Sequence, residues 1–301
     1  MEDDLSASLI GKTVVVTGAT SGIGYQTAFD FAREGAFLIG VGRNPQRCAE
    51  ARNNILEQLP KANVYFLTAD LASQKQIHSL ADQIEALLDE KHFKALDVLV
   101  NNAGLYMPKR VFTEDGVETT FAVNHIAPFL LTCLLLPRLV HSKTSRVITV
   151  SSHSHYQTRF NPEKAKRPAF YFGFWAYKVS KLSNILFSSE LNRLQKNNPP
   201  HAFAVDPGLV NTDIGSKGTD GLVSAFWQSR AKLGVSPEVP AQTILYLASE
   251  PDLQESKEIY WYECKPKKPG NEAMNQKTAR RLWVESCRIC GLPIPDNEKR
   301  T

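Results

Sequence analysis

Short apolar runs alternate with longer amphipathic segments along most of this chain. Apolar runs of this kind are expected where helices cover both faces of a parallel sheet. Seven of them occur, at residues 13–17, 37–41, 64–68, 96–100, 146–150, 201–205 and 259–262. Segments with helical periodicity lie between them, at residues 24–34, 45–58, 74–89 and 175–195. The alternation predicts βαβ units and therefore the α/β class.

The order of these elements predicts a single doubly wound Rossmann domain, with a parallel seven-stranded sheet and helices on both faces. No segment rich in Pro, Gly or Ser divides the chain. We therefore expect an N-terminal extension over residues 1–10, the Rossmann domain over residues 11–265 and a C-terminal helical extension over residues 266–301.

Two long segments interrupt the alternation. Residues 154–173 are polar and aromatic, and residues 213–239 resemble a flap that contains Phe226, Trp227 and Leu233. Long loops at the carboxyl ends of strands are where open α/β sheets bind ligands. An aromatic flap favours an apolar substrate, although the same side chains would serve equally well as a cover for the sheet.

A glycine-rich turn, TGATSGIG at residues 17–24, joins the first strand to the first helix. Gly18 would allow a sharp turn, Gly22 would leave room for a pyrophosphate, and Gly24 would let the helix approach the strand. The helix N-terminus would offer unpaired N–H groups to the phosphates. A plain strand–helix connection is the alternative, and the position after the first strand argues against it.

The second strand ends in Gly42-Arg43-Asn44, without the acidic residue that binds the ribose hydroxyls in many NAD sites. Arg43 could pair with a 2′-phosphate instead. The sequence therefore predicts NADP(H), with NAD(H) as the less favoured cofactor. The alternative is that Arg43 is an ordinary solvated surface residue.

Tyr177 and Lys181 are four residues apart in a helical pattern, which places both side chains on one helix face. A free phenol has a pKa near 10, and a nearby ammonium is expected to lower it. Such a pair would be a proton donor and acceptor closer to working pH. A Tyr and a Lys four residues apart often occur by chance, so the spacing indicates a catalytic pair only if the residues around it also fit an active site.

Other polar and small residues follow the predicted strands. Ser152 comes directly after the fifth strand, where it could hydrogen-bond the oxygen of a reacting carbonyl. Asn101-Asn102-Ala103-Gly104 follows the fourth strand and would let a cofactor lie against the backbone. Asn124 lies one helix further on, in the sequence VNH.

Taken together, these motifs resemble the short-chain dehydrogenase/reductase family. The resemblance rests on six motifs in that family's order, and it covers residues 10–262. The motifs are TGATSGIG (17–24), NNAG (101–104), VNH (123–125), VSS (150–152), YKVSK (177–181) and DPGLVNT (206–212).

The resemblance implies a role for each catalytic candidate. Tyr177 would be the acid/base, and Lys181 would hold the nicotinamide ribose and lower the pKa of Tyr177. Ser152 would position the substrate oxygen, and Asn124 would support a proton-relay water.

The cofactor contacts follow in the same way. Asp70 resembles the adenine contact, Asn102 would line the adenosine side, and Pro207, Gly208 and Thr212 would meet the nicotinamide end. The full set of cofactor candidates is Gly18, Thr20, Ser21, Gly22, Ile23, Gly24, Arg43, Asn44, Asp70, Leu71, Asn102, Ala103, Gly104, Tyr177, Lys181, Pro207, Gly208, Val210 and Thr212.

Within the family the likeness is to the retinol dehydrogenase-like group. It rests on the insert at residues 153–176, on AYKVSKLSNILF at residues 176–187 and on TARRLW at residues 278–283. The resemblance implies an oxidoreductase that interconverts an alcohol and a carbonyl, with an apolar, retinoid-like or steroid-like substrate. The insert and the flap have sequences of their own, so the resemblance does not imply that this chain is specific for retinoids.

Two other classes of protein are compatible with parts of this sequence. One is a cofactor-binding regulator or scaffold with little catalysis, and the presence of all four expected polar residues argues against it. The other is a sugar-nucleotide epimerase or dehydratase, which usually carries T-G-x-x-G-x-x-G, a pattern absent here.

The charge and the residue composition limit the classes of binding partner that we expect. The net charge is only +4, which gives little reason to expect nucleic acid or an anionic membrane. Cys287 and Cys290 form a C-x-x-C without a second pair, so we expect core packing rather than a metal site. His153 and His155 could line the substrate mouth or lie exposed in a loop.

The five cysteines have no disulfide-framework spacing, and the N-terminal residues lack the features of a signal peptide. We therefore expect reduced thiols and a cytoplasmic location, with peripheral membrane association left open. Residues 126–140 are apolar but contain Pro128 and Pro137, so a buried helix is favoured over a membrane span. By family analogy, this helix and the Tyr177 helix would form a homodimer face.

Overall fold

A computed structural model describes residues 9–159, 161–196, 198–210 and 234–295 of the 301-residue chain. Its architecture is one mixed sheet with helices packed on both faces. The strands are β1 Thr13–Thr17, β2 Phe37–Gly42, β3 Val64–Thr68, β4 Val98–Asn101, β5 Arg146–Val150, β6 His201–Val205, β7 Tyr260–Tyr262 and β8 Lys265–Pro266.

The four helices that the periodicity predicts are present with small changes at their ends, and the described residues form four more, one of them within the predicted loop at residues 154–173. They are α1 Gly22–Arg33, α2 Pro45–Gln58, α3 Gln74–Glu90, α4 Thr119–Leu139, α5 Pro162–Ala165, α6 Gly173–Leu194, α7 Glu238–Ser249 and α8 Gln276–Cys290. Helix α1 begins two residues earlier than expected, because Gly22 itself takes part in the first turn. Helix α6 likewise begins at Gly173 rather than at residue 175.

The sheet has the strand order β3-β2-β1-β4-β5-β6-β7-β8. The first seven strands are parallel, as expected, and β8 runs antiparallel to β7. The sequence did not predict β8, because its two residues are exposed and carry no apolar pattern. The chain reverses its direction of winding between β1 and β4, and a crevice at such a switch point is where doubly wound sheets bind ligands.

Two apolar layers bury the two faces of the sheet. In β1, Val15 belongs to the layer under α3 and α4, whereas Val14 and Val16 belong to the layer under α1 and α7. This alternation follows from the two-residue period of a strand. Both faces of the sheet are therefore buried, and for this reason the strands are continuous apolar runs in the sequence.

Helix α4 is buried, as the sequence predicted. Among the described residues it is the one helix long and apolar enough to cross a membrane, and 78% of its most apolar stretch is buried inside the fold. Core helices of globular proteins pass the same test, so the finding is weak evidence for a span. Its first turns contain a π-helical segment, Ala122–Ile126, which carries Asn124.

Helix α8 covers the face formed by α4 and α6. The Trp283 ring lies 4.9 Å from Phe129 and 5.9 Å from Phe187, measured between ring centroids. Cys287 is buried in the same layer, and Cys133 and Cys290 pack against it, so the prediction of core packing is correct for this pair. The face that family analogy assigned to a dimer is thus in contact with a helix of the same chain.

Candidate active site

The glycine-rich turn has the backbone that its sequence requires. Gly18 and Gly22 have positive φ angles of 68° and 56°, a region that side chains disfavour. A Cβ at Gly24 would overlap the Gly18 carbonyl and the Asn102 side chain. Helix α1 starts directly at Gly22, and its first N–H groups have no acceptor within the helix. The turn therefore has the shape and the polarity to hold a dinucleotide pyrophosphate.

Asn102 holds this turn against β4. Its Nδ2 donates to the carbonyl oxygens of Thr17 at 2.8 Å and Gly18 at 3.4 Å. The Thr17 hydroxyl accepts from the backbone N–H groups of Asn102 and Ala103, at 3.0 and 3.1 Å. The sequence placed Asn102 along the adenosine. In the structure its side-chain amide is used to fix the loop that would receive the phosphates.

Arg43 lies at the exposed end of β2, beside the turn. A Cβ on the preceding Gly42 would lie 2.6 Å from the Thr20 side chain and 2.6 Å from the Cys48 sulfur, so the two loops touch. Asn44 caps α2, because its Oδ1 accepts from the Arg47 backbone N–H at 3.0 Å. The Arg43 side chain is exposed and is available to an anion at this edge.

Asp70 follows β3 and shapes its own loop. Its Oδ1 accepts from the backbone N–H of Ala72 at 3.0 Å, and its backbone N–H donates to Gln76 Oε1 at 2.8 Å. Asp70 and Leu71 are both half-buried. These two residues therefore sit in an ordered turn at the same edge of the sheet as Arg43.

The catalytic candidates lie at the carboxyl end of β5. Lys181 donates from Nζ to the carbonyl oxygen of Val150 at 2.9 Å, and Asn184 donates to the same oxygen at 3.1 Å. Ser151 Oγ donates to the Lys181 carbonyl at 2.7 Å. These bonds fix α6 against β5. The sequence did not single out Ser151 or Asn184 as positioning residues, although both lie in motifs that it identified.

Tyr177, Lys181 and Ser152 come together as predicted. The Ser152 side chain is near enough to Tyr177 to lower its pKa, and Lys181 Nζ lies 5.6 Å from the centroid of the Tyr177 ring. Ser152 Oγ accepts from Ser154 N at 3.2 Å and from Ser154 Oγ at 2.9 Å. Because both lone pairs of Ser152 Oγ are taken, its own proton is left to point at Tyr177 or at a substrate oxygen. Ser154 was not predicted as part of the site.

Burial dominates the pKa of both Tyr177 and Lys181 in this structure, and a lowering of the Tyr177 pKa by Lys181 stays a prediction. Burial raises the pKa of Tyr177 to about 12, and the nearby carboxylate of Asp206 adds to the rise, whereas the bond from Ser152 opposes it. Burial also lowers the pKa of Lys181 to about 8. Desolvation disfavours the charged form of both groups, so it acts in opposite directions on an acid and an amine.

Asn124 is completely buried in the π-helical turn. Its Oδ1 accepts from Leu105 N at 2.8 Å, and its Nδ2 donates to Leu105 O at 2.9 Å and to Ser180 Oγ at 3.0 Å. All of its donors are therefore used to connect the loop after β4 to α6. Whether it also supports a proton-relay water stays a prediction.

The loop after β6 is organised by Asp206, which the sequence analysis quoted only as part of a motif. Its Oδ1 accepts from the backbone N–H groups of His153 and Gly208, both at 3.0 Å. Its Oδ2 accepts from Lys267 Nζ at 2.7 Å. Pro207 and Gly208 are half-buried beside it, and Val210 forms a parallel bridge with Val235. Thr212 and flap residues 213–233, with Phe226, Trp227 and Leu233, lie outside the described residues.

One aromatic ring packs against Tyr177, and three more aromatic residues lie shortly before it along the chain. The Tyr106 ring meets the Tyr177 ring edge-on, with 6.3 Å between centroids. The residues Phe172, Phe174 and Trp175 precede Tyr177 by two to five positions. Their exposed fractions are 69%, 39% and 42%, respectively. Tyr106 was missed by sequence reasoning, although its position two residues after the NNAG motif was a signal.

The two histidines after Ser152 have different environments. The His153 side chain is 72% exposed and stacks on Tyr156, with 4.8 Å between centroids. His155 is buried, and both of its ring nitrogens are hydrogen-bonded. Among the described residues, no group of three or more potential ligands is placed to hold a metal ion.

Comparison with known proteins agrees with this geometry. The sequence model of the family described as short chain dehydrogenase matches residues 12–221. Human retinol dehydrogenase 13 is 37% identical over 96% of this chain and 87% of that protein. Human polyprenol dehydrogenase is 36% identical over 93% of this chain and 86% of that protein.

A solved structure shows the same fold along almost the whole chain. The crystal structure of an uncharacterised protein from Mycobacterium paratuberculosis is 29% identical, with a TM-score of 0.73 and 96% of each chain covered. Fold, motifs and sequence similarity thus agree from β1 to the C-terminal helix. The chain belongs to the short-chain dehydrogenase family, and it is an oxidoreductase of the alcohol dehydrogenase type related to the retinol dehydrogenases.

Proposed function

We propose that this chain is an NADP(H)-dependent oxidoreductase that interconverts an aldehyde or ketone and its alcohol, with Tyr177 as the acid/base. The observation that carries the proposal is the meeting of Tyr177, Ser152 and Lys181 at the carboxyl end of β5. The glycine-rich turn opens at the same edge of the sheet. A dinucleotide that spans the crevice would bring its nicotinamide, which supplies or accepts hydride, to these side chains.

Tyr177 and Ser152 would act on the substrate oxygen. Because burial raises its pKa to about 12, Tyr177 is protonated at neutral pH. Tyr177 is therefore ready to give its proton to the oxygen of a carbonyl that is being reduced. Ser152, whose lone pairs are occupied by Ser154, would donate a second hydrogen bond to the same oxygen.

Lys181 would bind the cofactor and support the charge change at Tyr177. One of its three N–H groups donates to Val150 O, which leaves two for the hydroxyls of a ribose. A bound cofactor that hydrogen-bonds the ammonium would favour its charged form, and the charged form would favour the phenolate. This would reverse part of the rise that burial imposes on the pKa of Tyr177.

Arg43 is the reason to prefer NADP(H). It is exposed at the end of β2, beside Thr20, where a 2′-phosphate on the adenosine ribose would lie in a Rossmann fold. No acidic residue occupies the position directly after β2. Pairing of guanidinium and phosphate is strong and bidentate, so Arg43 would discriminate between the two cofactors.

The substrate is proposed to be apolar. Phe172, Phe174 and Trp175 expose aromatic surface shortly before Tyr177 along the chain, and the Tyr106 ring packs against the Tyr177 ring. Exposed aromatic side chains of this kind gain free energy when they bury an apolar ligand. The names of two relatives, a retinol and a polyprenol dehydrogenase, fit an apolar alcohol.

The test is turnover with a panel of aldehydes, ketones and retinoids, measured with both NADPH and NADH. We expect NADPH oxidation with at least one apolar carbonyl. Tyr177→Phe should abolish turnover and retain cofactor binding, because only the hydroxyl is removed. Tyr246→Phe, on α7 away from the strand tips, is the matched control and should keep the wild-type rate.

The outcomes separate the proposal from its rival. Retained turnover in Tyr177→Phe would overturn the role of the phenol. Cofactor binding without turnover across the whole panel would favour a cofactor-binding regulator or scaffold.

We also propose a reducing, cytoplasmic location, supported by the odd number of cysteines.

A further inference from the structure

A C-terminal strap, residues 267–275, lies across the loop that carries Ser152. It follows β8 and leads into α8, and it lies beyond residues 12–221, to which the family model matches. Polar contacts join it to the catalytic end of the sheet, and one of them is the approach of Lys267 Nζ to His153 Nδ1 at 3.5 Å. Lys267 pairs with Asp206 at 2.7 Å, the Tyr156 hydroxyl donates to Lys268 O at 2.5 Å, and Gly270 N donates to His155 Nε2 at 2.9 Å.

His155 is the contact that reaches Ser152 itself. Its Nδ1 lies 2.8 Å from the Ser152 carbonyl oxygen, and its Nε2 accepts from the Gly270 N–H. The carbonyl can only accept and the amide can only donate, so the ring must be neutral with its proton on Nδ1. The ring is 1% exposed and is held between Tyr156 and Tyr260, at 4.1 and 4.9 Å between centroids.

The electrostatic surroundings agree with a neutral ring. Burial lowers the pKa of His155, and the charges of His153 and Lys267 act in the same direction. The bond to Ser152 and the carboxylate of Asp206 oppose the shift without cancelling it. His155 therefore keeps both of its hydrogen bonds at neutral pH.

We infer that His155 is a positioning residue that fixes the catalytic Ser152 to the C-terminal strap. Resting on the proposed function, this inference makes the strap a part of the active site. The Ser152 carbonyl accepts from both the backbone N–H and the ring N–H of His155, at 3.2 and 2.8 Å. Loss of the ring bonds would let the loop shift, and shifts of about 1 Å in a catalytic group can cost roughly a hundredfold in rate.

The test compares two substitutions of His155, one that keeps a ring without polar atoms and one that keeps polar atoms without a ring. His155→Phe keeps an aromatic ring between the two tyrosines and removes both bonds. His155→Gln offers an amide N–H to Ser152 O and an amide oxygen to Gly270 N. His78→Phe, at an exposed position on α3, is the control for the same type of substitution. Each is measured by hydrogen exchange of the loop and strap peptides, by NADPH affinity, and by kcat and KM for a reduced carbonyl.

We expect His155→Phe to speed exchange in residues 267–275 and to lower kcat roughly tenfold to a hundredfold, with NADPH affinity within about twofold of wild type. His155→Gln should recover most of kcat even if its thermal midpoint is as low as that of His155→Phe. His78→Phe should match wild type in exchange and rate.

Two results would overturn the inference. One is wild-type kcat in His155→Phe, and the other is an equal loss of kcat in the Phe and Gln variants, which would indicate a structural role for the ring alone. If the wild-type chain reduces no carbonyl, the proposed function fails. In that case unchanged exchange in His155→Phe would also refute the link to the strap, whereas faster exchange would support it.

Discussion

Lys181 Nζ lies 5.6 Å from the centroid of the Tyr177 ring and donates its hydrogen bond to Val150 O rather than to the phenol. Both side chains are buried, so the pKa of Tyr177 rises to about 12 and that of Lys181 falls to about 8. Both shifts favour a protonated Tyr177, which fits the proton donation that we propose for the reductive direction.

Replacing Lys181 should separate activity from stability. Burial of an ammonium with a pKa of about 8 is costly at neutral pH, so Lys181→Met should increase the free energy of unfolding by about 1–2 kcal/mol at pH 7, after allowance for the lost bond to Val150. Turnover should fall by about a hundredfold or more. Denaturant titration and steady-state kinetics measure the two effects.

The stability gain in Lys181→Met should depend on pH. The pKa of Lys181 is about 8 in the folded chain and about 10.5 in the unfolded chain. Lys181 therefore does not destabilise the native state above pH 10.5, and its destabilising effect grows as the pH falls from 10.5 to 8. The gain from removing Lys181 should therefore be largest at pH 7 and smaller at pH 10. A gain that grows with pH would contradict this account of the buried ammonium.

Gly24→Ala should damage the cofactor turn. The new Cβ would overlap the Gly18 carbonyl and the Asn102 side chain, so the helix and the turn must move apart. We expect a loss of about 1–3 kcal/mol of stability and weaker NADPH binding, measured by denaturation and cofactor fluorescence. Ser21→Ala is the control for the stability measurement, because Ser21 is exposed and its side chain makes no capping bond. Equal losses of stability in both variants would refute the packing argument.

Arg43→Ala should alter cofactor choice without altering the chemistry. Removal of the guanidinium should raise KM for NADPH by about tenfold and leave KM for NADH nearly unchanged, since only NADPH carries the 2′-phosphate. Arg288→Ala, an exposed arginine on α8, is the control. Parallel changes with both cofactors would show that Arg43 does not read the phosphate.

Lys267→Met should destabilise the loop after β6. It leaves the fully buried Asp206 carboxylate without its cation, and breaking a buried pair from one side costs about 3–5 kcal/mol. Lys267 is itself 28% exposed, so the lower part of that range applies. The double variant Asp206→Asn with Lys267→Met should recover part of the loss in thermal unfolding. No recovery would mean that Lys267 acts through packing of its stem.

Much of the fold follows from the sequence because it depends on local periodicity. The buried strands are continuous apolar runs, the helices repeat at their own period, and α2 occupies the predicted residues 45–58. β8 escaped prediction because two exposed residues paired only by the backbone leave no apolar pattern. The sequence motifs also identified Tyr177, Lys181 and Ser152, because helix spacing and strand ends are local properties.

What the tertiary structure decided is the environment of those residues. The direction of the pKa shift at Tyr177 depends on how deeply α6 packs against β5, and no spacing in the sequence contains that depth. The same is true of His155, whose partner Gly270 is 115 residues away along the chain, and of Lys267, which is 61 residues from Asp206. Sequence patterns report on neighbours along the chain, whereas desolvation and these contacts arise only when distant segments pack together.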